Sequence, residues 1–241
     1  MRIAIEIARA VVPRHARRYV RELQHRDVFD AAVRGLLCLP PEAELPHALA
    51  RQLLQGWANE TMSPSAEYLQ AVWRHAARTP GPILECGSGL TTLVLGVAAR
   101  AQGRGVWSLE HDRFWARTIR AALQRYGVDG VRVCLAPLRN YGAFSWYDPQ
   151  CALPADFSLV LCDGPPGTTP GGRYGLMPVL GLNLRRGCVV LLDDATRVGE
   201  QAVLAQWQRE MRTTHTVRGR AKPYAEVVVA TLPAARPANQ T

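Results

Sequence analysis

The chain has 241 residues, 48% of them hydrophobic and 20% charged, an ordinary globular balance with length enough for one good-sized core. Its formal net charge is +9, and Lys222 is the only lysine, so 28 of the 29 Lys and Arg residues are arginine. The arginines are spread along the chain instead of massed, which excludes a basic block but leaves an anionic partner open, since guanidinium suits bidentate contacts to phosphate or carboxylate.

The N-terminal run Ile3 to Val12 is interrupted by Glu6 and Arg9 and falls short of a signal-peptide core or of the ~20 apolar residues of a membrane span. A cytoplasmic protein is the expectation. Residues 1–78 read as a helical extension or cap. Val20, Leu23, Val28, Phe29, Ala32, Val33, Leu36 and Leu37 recur at mostly helical spacing, Pro40-Pro41 breaks the pattern, and Leu45 to Trp57 forms the next helix. Ser63-Pro64-Ser65-Ala66-Glu67 then carries the capping hydroxyl and early proline of a helix start.

From Ile83 apolar runs at 83–86, 106–109, 131–135, 157–162 and 188–192 alternate with helical segments at 91–101, 113–126, 175–184 and 198–211. That alternation predicts βαβ units and a parallel sheet covered on both faces. Thr214 to Arg218 and Ala225 to Thr231 have too short a connection for a crossover helix, so they pair as a terminal antiparallel hairpin that carries His215. A sheet-forming domain over 79–232 and a disordered tail over 233–241 complete the expected organisation. Six cysteines, at 38, 86, 134, 151, 162 and 188, include no CxxC pair. Cys86, Cys134, Cys162 and Cys188 lie within or beside apolar runs that read as buried strands, which favours buried reduced thiols over disulfides or zinc ligands.

The first strand ends in Glu85, followed by the turn Gly87-Ser88-Gly89 and a helix. Glycine lets such a turn tighten and approach a ligand closely, and the free N–H groups of the following helix can hold a polar group. The second strand ends in Glu110, placed at the same sheet edge, where a carboxylate can accept both hydroxyls of an adenosine ribose. NAD satisfies the same geometry, but Thr92 stands where the third glycine of GxGxxG belongs. The terminal hairpin also favours S-adenosylmethionine (SAM) over a dinucleotide.

Three blocks occur in order: Leu84 to Leu93 (LECGSGLTTL), Ser108 to Trp115 (SLEHDRFW) and Asp193 to Glu200 (DDATRVGE). Together they resemble a bacterial group of class I SAM-dependent methyltransferases with patterns near LExGSGxST, SxEHDxxW and DDxxRxxE. The resemblance implies a seven-stranded, mostly parallel Rossmann-like methyltransferase sheet with a C-terminal antiparallel hairpin, preceded by the helical extension. It also implies that Glu85, Gly87, Ser88 and Gly89 line the methionine and ribose side, that Glu110 holds the ribose, and that His111 lies near the adenine.

Strand four ends in Asp163 with Gly164-Pro165-Pro166-Gly167 after it, and strand five ends in Asp193-Asp194. Three carboxylates on one sheet edge repel unless a cation, a proton or an arginine joins them. In one reading Asp163, Asp193 and Asp194 bind Mg²⁺, in resemblance to catechol O-methyltransferase, with Asp194 departing from the asparagine of that pattern. In a second, Asp163 or Asp194 is a general base, and Arg173 and Arg197 neutralise the rest or bind an acidic group. In a third, the Asp pair caps the next helix beside Arg197, and at least one of the two is expected to do so. Tyr141, Trp146 and Tyr147 form either a ligand wall or packing under a loop, and Gly167 to Gly172 reads as a loop able to fold over the site.

The expected activity is methyl transfer from SAM to a hydroxyl or amine of a small-molecule or glycan-like acceptor. The alternative is a protein, or a methyltransferase, that acts on nucleic acid through the arginine-rich segment of Arg14, Arg17, Arg18, Arg21 and Arg26.

Overall fold

Seven strands form one twisted sheet because each short apolar run is long enough for a buried strand and each connection long enough to return. In chain order these are β1 (Ile83–Cys86), β2 (Val106–Glu110), β3 (Val131–Leu135), β6 (Phe157–Cys162), β7 (Leu184–Leu192), β8 (Thr213–Arg218) and β9 (Tyr224–Val229). A small separate hairpin supplies β4 (Leu138–Asn140) and β5 (Ser145–Tyr147). The computed structural model describes residues 14–57 and 64–230, with side chains from residue 25 onward.

The sheet order is β3-β2-β1-β6-β7-β9-β8. The first five strands are parallel, and β9 runs antiparallel between β7 and β8. The expected parallel sheet with its terminal hairpin is therefore present. The order reverses between β1 and β6, and in open α/β sheets that switch point is where the crevice for a ligand opens.

Strand side chains alternate between two cores. Ile83, Leu159, Leu161 and Leu191 face one cluster, while Leu84, Val160, Cys162, Val190 and Leu192 face the other. The first cluster is covered by α1 (Arg14–Leu37), α2 (His47–Trp57), α3 (Ala66–Arg78), α4 (Leu90–Arg100) and α5 (Arg113–Arg125). The second lies under α6 (Leu176–Leu180), α7 (Val198–Met211) and the β4–β5 aromatics. Helix α3 starts at the N-cap Ser65, whose hydroxyl accepts from Tyr68 N at 3.1 Å. The Asp30 carboxylate ties α1 to the end of α5 through Arg125 and Tyr126. The N-terminal helices thus pack into the same core as the sheet.

Three local expectations are corrected. The segment expected to be helical over 175–184 contains only α6 and a 3₁₀ turn (Gly181–Asn183), and β7 begins at Leu184 instead of 188. Pro178 and Gly181 leave little room for a longer helix. The β4–β5 hairpin was not expected. Its turn is built by Gly142 at φ +89°, whose N–H donates to Asn140 Oδ1 at 2.7 Å. Finally, Cys134 and Cys151 are not free thiols but form a disulfide, with Cα atoms 6.2 Å apart. The hairpin returns the chain beside β3, where Gln150 N donates to Leu135 O at 3.2 Å, and this brings Cys151 to the end of that strand. Cys86, Cys162 and Cys188 are free and buried as expected; Cys38 is free and exposed. The N-terminal run 3–12 and the tail 233–241 lie outside the described residues.

Candidate active site

The corner from β1 into α4 is built around Glu85. This carboxylate is fully buried and accepts from Thr91 Oγ1 at 2.6 Å, Thr92 Oγ1 at 2.6 Å and Ser108 Oγ at 2.5 Å. Burial pushes its pKa to about 7 against the opposing pull of those three hydroxyls. Glu85 therefore stands behind the glycine turn, away from the cavity that the turn lines. It fixes the start of α4 and the neighbouring strand, a structural place that differs from the ligand-lining one implied by the resemblance.

Gly87 and the turn after β6 approach each other closely. Gly87 has φ +91°, and a Cβ there would lie 2.9 Å from Gly164 N. Gly164 N in turn donates to Cys86 O at 2.6 Å, so the two loops at the switch point share one floor.

Glu110 ends β2 at the opposite wall. Its Oε2 accepts from Ser88 N at 3.1 Å and Ser88 Oγ at 2.7 Å, and its Oε1 accepts from Asp112 N at 2.9 Å. His111 Nδ1 lies 3.1 Å from Oε1, and that contact raises the His111 pKa. Burial opposes ionisation of Glu110, but the bonds from His111, Asp112 and Ser88 outweigh it and hold its pKa below the usual value. The result is an anchored carboxylate on the cavity wall. Asp112 caps α5 by accepting from Phe114 N and Trp115 N, both at 2.8 Å, and Trp115 Nε1 donates to Ser88 O at 2.8 Å.

Tyr147 completes this half. It is fully buried in β5, lines the cavity, and its hydroxyl has no hydrogen-bond partner. Its ring meets the His111 ring edge-on at 6.2 Å. Tyr147 thus forms part of the cavity wall. Trp146, also fully buried, packs in the core, and Tyr141 stacks on Phe144 with ring centroids 5.3 Å apart. The loop after Asp163 is pinned: Ser145 N donates to Pro170 O at 2.9 Å, and Gly171 sits against Phe144. Gly167 still lines the cavity.

The acids at the ends of β6 and β7 do converge. One carboxylate oxygen each from Asp163, Asp193 and Asp194 lies within 4.8 Å of the others. Arg173 is buried among them, with Nη2 at 3.1 Å from Asp163 Oδ1 and 3.6 Å from Asp194 Oδ2, and Nη1 at 3.4 Å from Glu200 Oε1. It also donates to the carbonyl oxygens of Asp163 and Asp193. Arg197 Nη1 lies 2.9 Å from Asp194 Oδ2. Burial and the neighbouring Asp193 push the Asp163 pKa to about 6, with Arg173 pulling the other way.

Neither aspartate caps α7. That helix starts at Val198 with Arg197 as its N-cap and no side-chain cap bond, and Asp194 is turned aside at φ +58°. Lys222 was not expected here. Its Nζ lies 2.9 Å from Asp193 Oδ2 and 3.5 Å from Asp194 Oδ1. As it stands, this set does not fit Mg²⁺. The ion needs several open oxygens, yet Arg173, Arg197 and Lys222 already contact all three acids.

Both halves open into a single cavity of about 530 Å³, which joins Gly87, Ser88, Gly89, Glu110 and His111 to Asp163, Asp194, Arg173, Arg197 and Lys222. Asp193 sits behind it, fully buried. The arginines behind the nucleic-acid expectation lie elsewhere: Arg26 is exposed on α1, and the side chains of Arg14, Arg17, Arg18 and Arg21 fall outside the described residues.

The fold matches solved Rossmann-like SAM-dependent methyltransferases. An SAH-bound methyltransferase from Podospora anserina superposes with a TM-score of 0.55 at 17% identity, over 83% of this chain and 87% of that one. An O-methyltransferase from Bacillus cereus in complex with SAH gives 0.54 at 17% identity, over 86% and 99%. An O-methyltransferase from Streptomyces achromogenes involved in tomaymycin synthesis, in complex with SAM, gives 0.52 at 14% identity, over 85% and 98%. At these identities the likeness is one of fold. No family model matches the chain, and no curated protein matches its sequence. Among the described residues, no helix is long and apolar enough to cross a membrane.

Proposed function

We propose that the chain is a SAM-dependent methyltransferase that methylates a hydroxyl or amine of a small-molecule or glycan-like acceptor. One observation carries this reading: an anchored carboxylate, Glu110, and a partly exposed one, Asp163, face the same cavity from opposite sides of the glycine turn. The first suits a ribose and the second a reacting group. The likeness to SAH- and SAM-bound methyltransferases in fold supports the same assignment.

The cavity's residues fit the cofactor. Glu110 and the Gly87–Gly89 turn would hold the ribose and methionine portions, with Ser88 Oγ a rotatable hydroxyl that a ribose hydroxyl can replace on Oε2. His111, Trp115 and the unpartnered Tyr147 hydroxyl border the adenine side. When bound, SAM supplies a methyl group on a positively charged sulfur. Asp163 takes the proton of the acceptor's hydroxyl or ammonium, and Arg173 orients its carboxylate through Oδ1 and the main-chain carbonyl. Asp194 is the second carboxylate on that wall, held by Arg197. Trp57, Pro64 and Pro166 add apolar wall to the cavity.

The test is transfer of isotopically labelled methyl from SAM into a mixture of hydroxyl- and amine-bearing small molecules and glycans. Labelled product is expected from the wild type, and Asp163→Asn should lower the rate by about 10²–10⁴ with SAH affinity within a few-fold. An Asp163→Asn enzyme with wild-type turnover would remove Asp163 from the role of base.

A further inference from the structure

The acid cluster is the one place where three carboxylates meet at the cavity among the described residues, and the chain brings its only lysine to it. Lys222 sits in the loop between β8 and β9. That loop is fastened to the Asp193–Asp194 turn by Ala195 N donating to Pro223 O at 2.9 Å. The attachment sets the ammonium 2.9 Å from Asp193 Oδ2 and 3.5 Å from Asp194 Oδ1. From the other side, Arg173 reaches Asp163 Oδ1 at 3.1 Å and Asp194 Oδ2 at 3.6 Å. One ammonium and one guanidinium therefore touch all three acids between them, and Arg197 adds a third positive charge 2.9 Å from Asp194 Oδ2, so the cluster already holds at least the charge a divalent ion would bring. Asp193 Oδ1 is buried with no hydrogen-bond partner, but each of the three acids already has a cation against it, which crowds an ion that demands octahedral coordination.

We propose that Lys222 and Arg173 form a built-in cation that takes the place of a divalent metal in this site, with Lys222 as the exchangeable half. The inference rests on reading the cavity as a methyl-transfer site. Arg173 is buried and fixed by main-chain carbonyls, whereas Lys222 is partly exposed and lines the cavity beside Arg197. An acceptor entering there meets an ammonium and a guanidinium instead of the open coordination positions of a metal. It therefore needs no pair of adjacent oxygens to chelate.

Mn²⁺ is the probe. Its binding to the full chain is followed by electron paramagnetic resonance, with calorimetric SAH binding measured on the same samples. The wild type should bind SAH and show no stoichiometric Mn²⁺ site. Lys222→Ala should retain SAH binding and gain Mn²⁺ affinity of at least about tenfold, because three carboxylates then face one fewer cation. Lys222→Gln, which keeps most of the side chain's length and a polar end without its charge, should gain likewise and stands in if the alanine variant does not fold. A tight Mn²⁺ site in the wild type overturns the proposal by itself, whatever the variants do. So does a folded, SAH-binding Lys222 variant with unchanged Mn²⁺ affinity. Loss of SAH binding by the wild type is a separate failure, that of the methyltransferase reading.

Discussion

At the scale of single residues, the two faces of the cavity differ in how their carboxylates are held. Glu110 is surrounded by donors and stays ionised, while Asp163 is pushed to about 6 by burial and by the neighbouring Asp193. A proton acceptor at that value is charged at neutral pH and lost in mild acid. Turnover should therefore fall as pH drops through about 6, while SAH affinity stays nearly level across the same range. Burial, with Asp193 and Asp194 on one side and Arg173 and Lys222 on the other, sets the inflection. A rate that is flat from pH 8 to about 5 would contradict a base at Asp163. The glycine turn and Glu110 were legible in the sequence because a strand end, a tight turn and a second strand end are local patterns. Lys222 was not, since its contact joins residues 29 apart through a loop whose path no periodicity records. Glu85 carried its own ambiguity: strand parity says which face a side chain takes but not whether that face opens to a ligand.

At the scale of elements, the β1–α4 corner depends on a carboxylate buried among three hydroxyls. With its pKa raised to about 7 from an ordinary 4.5, Glu85 favours the fold in its protonated form. That contribution is fully present below about 4.5 and is lost as pH rises through 7. Glu85→Gln removes the titration while keeping the shape. Its melting temperature should match the wild type near pH 4.5, exceed it at pH 8, and vary less between the two. A larger deficit for the variant at pH 8 than at pH 4.5 would mean that the ionised carboxylate, not the neutral one, holds the corner. The long strands and helices of this layer were readable from their repeating patterns. The β4–β5 hairpin was not, because strands of three residues carry too little alternation to be seen, and with it the Cys134–Cys151 link was missed.

At the scale of the molecule, the parallel order and the terminal hairpin followed from connection lengths: long enough for a helix between parallel strands, too short between the last two. What no pattern could supply was how the helices before β1 close the sheet. They join the core beneath α4 and α5, and Trp57 and Pro64 from that region border the cavity. The cavity thus draws on the whole fold, from the end of α2 to the β8–β9 loop, and binding at its centre should stabilise all of it. The most direct measurement is calorimetric titration of the wild type and Glu110→Gln with SAH. A single site per chain is expected for the wild type, weakened at least about tenfold by the substitution that removes the ribose-holding charge. No binding to the wild type, or equal binding by the two proteins, would contradict the assignment of this cavity to the cofactor.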